Sequence, residues 1–153
     1  MNRSGPTAAV LRLLSDLKGC QDEGFNAGPV NEDNLFVWNA TLFGPYETAW
    51  EGGVFQLKLV FSEEYPQKPP KVKFMQTVYH PNVFGDGSLC LDIIQDKWTP
   101  VYSVASLLTS ITSLFTDPNP DSPANPEAAR LFVSDKKEYN KRVRACVERT
   151  LEE

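Results

Sequence analysis

Histidine and cysteine, the usual ligands of zinc, are scarce in this sequence. The 153-residue chain has one histidine, and its three cysteines, Cys20, Cys90 and Cys146, lie far apart. A single histidine excludes a site built from several histidines, and the cysteine spacing matches no zinc pattern. Dispersed cysteines do not predict a disulfide framework. We therefore expect no bound metal, and for Cys20 and Cys146, which accompany helical apolar patterns, we expect a structural role.

Long apolar runs and an excess of positive charge are also absent. No stretch approaches the ~20 apolar residues that span a bilayer. Arg12 and Asp16 follow the apolar run at 8–11, which is too short for a secretory signal. The net charge of -5 is opposite to that of proteins that bind phosphate backbones. These features predict an intracellular protein with no membrane partner and no direct contact with nucleic acid.

The first half of the chain predicts a helix followed by a sheet. The length suits one domain, residues 1–153, which buries about 70% of the surface of its unfolded chain. Four apolar residues from Val10 to Leu17 recur at helical spacing and predict a first helix that ends near Gly19. Alternating and clustered apolar residues then predict an antiparallel meander, with strands at 35–43, 55–61 and 72–74 and a short fourth strand near 77–79.

The second half predicts a long loop and a central helix. No period holds between Tyr79 and Tyr102, and a long loop in a small domain is usually functional. This loop contains Cys90. Ser103 is the expected N-cap of a core helix whose apolar residues run through 104–115.

Prolines dominate the segment after the central helix. Four of them lie between Asp117 and Pro126, which predicts a stiff irregular loop because each proline fixes φ and lacks an amide hydrogen. Asn125 is the expected N-cap of a short helix to Phe132, and Ser134 is the expected N-cap of the last helix. The apolar face predicted for that last helix comprises Tyr139, Val143, Cys146, Val147 and Leu151. The fold class is therefore α/β (α+β).

A compact group of reactive residues lies in the central loop. His80-Pro81-Asn82 stands eight positions before Cys90. A nucleophilic thiol and a buried structural cysteine both fit this pattern. His80 as a general base would indicate a cysteine hydrolase, although no orienting third group is apparent. Asn82 is compatible with an oxyanion donor, a residue that fixes the loop, or a simple turn residue.

Several short motifs occur in a fixed order along the chain. They are Tyr65-Pro66 with Lys68-Pro69-Pro70, His80-Pro81-Asn82, Gly87 to Asp92, Trp98-Thr99-Pro100 and Asp117-Pro118-Asn119-Pro120. With the order of helix, meander and helices, this set resembles the ubiquitin-conjugating enzymes over essentially the whole chain. The segments after Asn119 and Ser103 resemble the branch that ubiquitinates histones and assists DNA-damage tolerance. That branch implies work in the cytoplasm and the nucleus.

The resemblance implies a thioester mechanism with no metal or organic cofactor on this chain. Cys90 matches the cysteine that accepts ubiquitin's C-terminal carboxyl from an activating enzyme, which uses the ATP. The ubiquitin then passes to a lysine of a protein substrate. The resemblance implies that Asn82 stabilises the oxyanion or positions the loop, and that His80 and Pro81 have structural roles at the site.

The attacking lysine presents a separate problem. Its amine has a reference pKa near 10.4 and is protonated at pH 7, and only the neutral form attacks. Many relatives have an aspartate at the position that matches Ser122, and a serine cannot act as a carboxylate would. Asp92, two residues after Cys90, is the second candidate for orienting the amine. We therefore expect slow intrinsic transfer that depends on a ligase or on an acidic group of the substrate.

The resemblance also implies two surfaces for protein partners. A RING-type ligase is expected to bind two neighbouring loops, which carry Gln67, Lys68 and Pro69 on one and Trp98, Thr99, Pro100 and Val101 on the other. Trp98 is equally compatible with a core position. The activating enzyme is expected to contact Arg12 and Lys18 of the first helix, where relatives carry more basic residues.

Three alternatives stay open from the sequence. One is a non-catalytic module of the same fold that only positions ubiquitin, although such variants lack the cysteine. Another is a conjugating enzyme for a different modifier, such as a SUMO-type protein. The third is a cysteine hydrolase, which would release free ubiquitin from a conjugate without ATP.

Overall fold

Four helices and one sheet form the part of the chain that the structure, a computed structural model, describes: residues 5–121 and 123–152. The first half holds α1 (Ala8–Asp22), β1 (Asn26–Asn31), β2 (Asn34–Phe43), β3 (Val54–Val60) and β4 (Lys71–Phe74). The second half holds a short 3₁₀ turn (Asp92–Ile94), α2 (Val104–Thr116), α3 (Pro126–Ser134) and α4 (Lys136–Thr150). The predicted order of helix, meander, loop and helices is confirmed.

The sheet is an antiparallel meander in the order β1-β2-β3-β4. Trp38 of β2 lies opposite Leu59 of β3, and Leu57 of β3 lies opposite Phe74 of β4. Successive side chains of a strand point to opposite faces, so Phe55, Leu57 and Leu59 all reach the same face. All three are fully buried, and this face therefore forms one wall of the core.

The strand that completes the four-stranded sheet is β1, at its N-terminal edge, which the sequence did not predict. The strand predicted near 77–79 does not form. β1 carries Pro29 and mostly small or polar residues, which are depleted in strands. It lies at the edge of the sheet, where a residue without an amide hydrogen is tolerated. At 77–79 the buried Val78 imitates a strand pattern, but the Thr77 carbonyl accepts a hydrogen bond from the Cys146 thiol instead of pairing with a strand.

The boundaries of the first two long helices follow their capping residues. α1 continues past its predicted end at Gly19 to Asp22, because one glycine lowers helix propensity without ending a helix. The chain turns at Gly24, whose φ of +82° favours glycine. α2 begins after Ser103 as predicted, and the side chains of Ser103 and Ser106 each accept the other's backbone N–H.

Two smaller predictions about the last helix, α4, are wrong, whereas the start of α3 was predicted correctly. α3 begins after Asn125 as predicted. The N-cap of α4 is Asp135 rather than Ser134, because the Asp135 carboxylate accepts the N–H of Glu138. Leu151 lies beyond the helix as its C-cap and is 62% exposed, so it does not belong to the buried face. The other four residues predicted for that face are buried.

Aromatic rings join the sheet, α2 and the segment that leads to the central loop. The Phe115 ring of α2 lies 4.9 Å from the rings of both Trp50 and Phe55, measured between centroids. The Trp50 ring lies 5.9 Å from the imidazole of His80. The core therefore holds the His80 turn in place before the chain reaches Cys90.

The cysteines divide into two buried residues and one accessible residue. Cys20 and Cys146 are fully buried, as predicted, whereas Cys90 is half-buried, and all three are free thiols. Over residues 5–121 and 123–152, no group of three or more His, Cys, Asp or Glu side chains is placed to hold a metal ion. No helix in those same ranges is long and apolar enough to cross a membrane.

Candidate active site

Cys90 ends a short loop that folds back on the His80-Pro81-Asn82 turn. The Cys90 N–H donates a hydrogen bond of 2.8 Å to the Asn82 carbonyl. Inside the loop, Val83 and Leu89 form an antiparallel bridge and bury their side chains. Two anchoring contacts within so few residues hold Cys90 rigidly at the surface of the core.

Gly87 fixes this loop against the end of β4. Its carbonyl accepts the N–H of Phe74 at 2.8 Å, and its φ is +94°. A Cβ atom at this position would lie 2.1 Å from the Phe74 carbonyl oxygen, well inside van der Waals contact. Only glycine therefore permits this approach of the two backbones.

His80 is buried and both of its ring nitrogens are engaged. Nε2 lies 2.6 Å from the Leu114 carbonyl oxygen and donates to it, while Nδ1 accepts the Asn82 N–H at 2.9 Å. Burial lowers the pKa of His80 from 6.5 to about 4, although the bond to Leu114 opposes this effect. A neutral imidazole with no unoccupied nitrogen has no atom available to accept the proton of Cys90.

Acid is expected to weaken the fold through His80. The imidazole has a pKa near 6.5 in the unfolded chain and about 4 in the folded chain. Between these values the unfolded chain binds a proton that the folded chain does not, so stability present above pH 6.5 is lost as the pH falls. The loss reaches about 2 kcal/mol by pH 5. Urea unfolding of the wild type and His80→Gln from pH 7 to 5 measures it.

The single histidine makes this comparison direct, because His80→Gln removes the whole histidine contribution. The variant is expected to be less stable at pH 7, and its deficit is expected to shrink toward pH 5. A deficit that stays constant over this range would show that His80 titrates normally.

The His80-Pro81-Asn82 turn also fastens the proline-rich loop that follows α2. The Asn82 amide donates to the Asn119 carbonyl at 2.7 Å and accepts the Asn119 N–H at 2.8 Å. The Pro81 carbonyl accepts the N–H groups of Ala124 and Asn125 at 2.7 and 3.0 Å. Two segments that are far apart in sequence therefore lie side by side next to Cys90.

Cys90 lies on the wall of an open cleft of about 480 Å³. The cleft is lined by Cys90, Leu91, Asp92, Gln95, Asp96, Lys97, Leu114 and Asn119. Asp92 therefore lies beside Cys90, as its sequence position suggests. Ser122, the other candidate for orienting an amine, is outside the described residues. Sequence reasoning gave no site role to Asp96 and treated Leu114 only as core, and neither residue carries a motif that would reveal its place here.

Comparison with known proteins identifies the family that carries this arrangement. A family model described as ubiquitin-conjugating enzyme matches residues 10–147. The chain belongs to the ubiquitin-conjugating enzyme family. It is 52% identical over 147 residues to "Ubiquitin-conjugating enzyme E2 3" of Arabidopsis thaliana, an alignment that covers 94% of this chain and 97% of the relative. It is 53% identical over 150 residues to "Ubiquitin-conjugating enzyme E2 2" of Saccharomyces cerevisiae, with coverages of 96% and 87%.

The family assignment gives the general reaction and the general partners. Ubiquitin-conjugating enzymes are transferases that form a thioester with ubiquitin, and they work with an activating enzyme and a ligase. The predicted resemblance and the predicted enzyme class are confirmed. The residues that perform the steps in this chain stay predictions.

The two loops predicted to bind a ligase lie together in this ubiquitin-conjugating enzyme. The Trp98 indole N–H donates to the Pro66 carbonyl at 2.9 Å, so the loop after β3 contacts the loop before α2. Trp98 is half-buried, whereas Gln67, Lys68 and Thr99 are exposed. Trp98 therefore lies beneath the exposed residues of this surface and also packs against the edge of the core.

The two cations of α1 differ in their availability to a partner. The Arg12 guanidinium contacts Asp16 at 3.1 Å and donates to the Tyr102 carbonyl at 2.6 Å. Lys18 forms an exposed pair with Asp22 at 3.5 Å. Of the two residues predicted to meet the activating enzyme, Lys18 projects into solvent and Arg12 is engaged within the fold.

Proposed function

We propose that Cys90 carries ubiquitin in this enzyme. All three cysteines lie in the described part of the chain, and Cys90 is the one that is not buried. It also lies on the cleft, where an acyl group and an incoming amine have room to meet. This combination of accessibility and a rigid loop is the observation that supports the assignment.

The proposed reaction consists of two acyl transfers. The Cys90 thiolate attacks the carbonyl carbon of ubiquitin's C-terminus, which the activating enzyme holds as a thioester. A bond to the Cys90 sulfur forms, and the activating enzyme's thiolate leaves. A neutral lysine amine then attacks the same carbonyl carbon, an amide bond forms and the Cys90 thiolate leaves. The amine proton passes to solvent or to an acidic group of the ligase or substrate.

The residues around Cys90 have distinct proposed roles. Asn82 positions the cleft wall through its two hydrogen bonds to Asn119 and stabilises the oxyanion of the second transfer. Asp92 orients the attacking amine from the rim of the cleft. His80 and Pro81 hold the turn. The chain is proposed to need no metal or organic cofactor, since ATP is used by the activating enzyme.

The proposed partners are ubiquitin, its activating enzyme, a RING-type ligase and protein substrates with an acceptor lysine. The exposed surface of Gln67, Lys68, Thr99 and Pro100 supports a small ligase interface. Histones and DNA-repair proteins are the proposed substrates, and the cytoplasm and nucleus are the proposed compartments. These finer assignments come from the resemblance of the segments that follow Ser103 and Asn119.

Loading with purified components tests the proposed function. The protein is incubated with ubiquitin, the ubiquitin-activating enzyme and ATP, and the products are separated on a gel without reductant. We expect one adduct larger by the mass of ubiquitin. We expect dithiothreitol to remove it, because a thiolate attacks the acyl carbon of a thioester and releases the Cys90 thiol. An adduct that does not form, or that forms without ATP, contradicts the proposal.

Two control arms separate the remaining alternatives. A SUMO-type modifier with its own activating enzyme is expected to give no adduct, and preferential loading of that modifier would reassign the substrate. A pre-made ubiquitin conjugate without ATP is expected to stay intact, whereas release of ubiquitin would indicate a hydrolase.

A further inference from the structure

Asp16 is a buried carboxylate for which the reaction has no use. It lies on the inner face of α1, and its side chain is 5% exposed. Oδ1 accepts a hydrogen bond from the Arg12 guanidinium at 3.1 Å, and Oδ2 accepts one from the Tyr65 hydroxyl. A carboxylate removed from water needs such partners. Its place in the fold therefore depends on Arg12 and Tyr65.

The two partners of Asp16 lead to the two loops of the proposed ligase surface. Tyr65 lies in the loop between β3 and β4, which also carries Gln67 and Lys68. Arg12 extends past Asp16 to the Tyr102 carbonyl, at 2.6 Å, which closes the other loop. The Asp16 carboxylate therefore contacts one loop through Tyr65 and reaches the other through Arg12.

Aromatic packing completes the connection between the loops. The Trp98 ring lies 6.1 Å from the Tyr65 ring and 5.6 Å from the Tyr102 ring, measured between centroids. The Arg12 guanidinium lies 5.6 Å from the centre of the Tyr65 ring. Burial and the bond to Asp16 raise the pKa of Tyr65 well above its ordinary value near 10, so its hydroxyl stays a donor.

A second pair on the same helix shows that this arrangement is more than an ordinary helix ion pair. Lys18 and Asp22 have the same spacing of four residues, but their side chains are 76% and 64% exposed. Their contact joins two neighbouring turns of α1. The contact between Arg12 and Asp16 differs because it is buried and continues into two loops.

We propose that Asp16 is a positioning residue for ligase binding. Through Tyr65 and Arg12 it holds the loop between β3 and β4 and the loop before α2 in one fixed arrangement relative to α1. The proposal rests on the proposed function, in which those loops bind the ligase. Asp16 contacts neither the ligase nor the reacting atoms. Its loss should weaken binding of a ligase and leave the chemistry at Cys90 unchanged.

Discharge of the preloaded enzyme tests the proposal. Enzyme carrying ubiquitin is separated from the activating enzyme and mixed with free lysine, with a RING domain titrated from zero. The RING domain is one selected from a panel because it accelerates discharge by the wild type. Asp16→Asn and Tyr65→Phe are compared with Asp22→Asn, the matched control on the exposed pair. Tyr65→Phe removes one hydroxyl and serves as the second variant if Asp16→Asn folds poorly.

We expect Asp16→Asn and Tyr65→Phe to raise the RING concentration for half-maximal discharge by about five- to tenfold. The rate without RING and the rate at saturating RING should match the wild type, which a general loss of folded protein would not produce. Faster hydrogen exchange of the Trp98 indole N–H should accompany the change, because its bond to Pro66 reports the contact between the loops. Asp22→Asn should alter none of these quantities.

Val101→Arg separates failure of this proposal from failure of the ligase surface itself. Val101 is 89% exposed in the same loop, so an arginine there is expected to impair RING binding without altering the fold. If Val101→Arg impairs the titration and Asp16→Asn does not, the positioning role is refuted. If neither variant impairs it, the proposed ligase surface fails and the positioning role fails with it.

Discussion

Replacement of Cys90 by alanine is expected to reduce the ubiquitin adduct below detection. The proposed thioester bond requires the Cys90 sulfur, and the methyl group of alanine offers no nucleophile. The fold should be retained, because Cys90 is half-buried and the loop is held by backbone contacts rather than by the thiol. Loading is measured on a gel without reductant, and the thermal unfolding of each variant is recorded in parallel.

Cys90→Ser gives a sharper form of this test. The hydroxyl oxygen replaces the sulfur as nucleophile, so we expect slow formation of an ester that resists dithiothreitol and is cleaved by alkali. Cys20→Ala and Cys146→Ala are the matched controls, since both thiols are fully buried. Each is expected to load ubiquitin while losing some stability. A Cys90→Ala protein that still forms the thiol-sensitive adduct would assign the thioester to another residue.

The sequence predicted the elements whose periodicity is strong and local. α2 was predicted with its N-cap because Ser103 precedes a continuous helical apolar pattern and the cap is decided within one turn. β1 was missed because an edge strand tolerates proline and needs only one partner strand. Ser134 and Asp135 are both competent caps, and the choice between them depends on side-chain direction, which the sequence pattern does not contain.

In the candidate site too, contacts between residues close in sequence were predictable, and contacts between residues far apart in sequence were not. The proximity of Asn82 and Cys90 was predictable, because a short loop with glycines joins them. The pairing of Asn82 with Asn119 links residues that are 37 positions apart, and the bond from Tyr65 to Asp16 links residues 49 positions apart. Such contacts depend on how the helices pack on the sheet, and one sequence without the fold does not reveal them.

Replacement of Asn82 by alanine is expected to slow discharge to lysine by about 10² to 10³-fold, the loss typical of one oxyanion donor. Loading should continue, because the proposed role of Asn82 is confined to the second transfer, in which the lysine amine attacks the thioester. The substitution also removes both hydrogen bonds to Asn119, which lines the cleft, and leaves the Asn119 N–H and carbonyl without these partners. We expect a loss of about 1 to 3 kcal/mol in the free energy of unfolding. Single-turnover discharge of preloaded enzyme and urea unfolding measure the two effects.

The two roles proposed for Asn82 lead to different results in Asn82→Asp. A carboxylate of the same shape still accepts the Asn119 N–H, but it places a negative oxygen against the Asn119 carbonyl and has no N–H to donate. If Asn82 mainly positions the cleft wall, hydrogen exchange at Asn119 should rise in step with the slowing of discharge in both variants. If the amide acts on the oxyanion, Asn82→Asp should be slower than Asn82→Ala at equal exchange, because its charge repels the developing oxyanion. If both variants discharge ubiquitin at the wild-type rate, both roles are excluded and Asn82 is a turn residue.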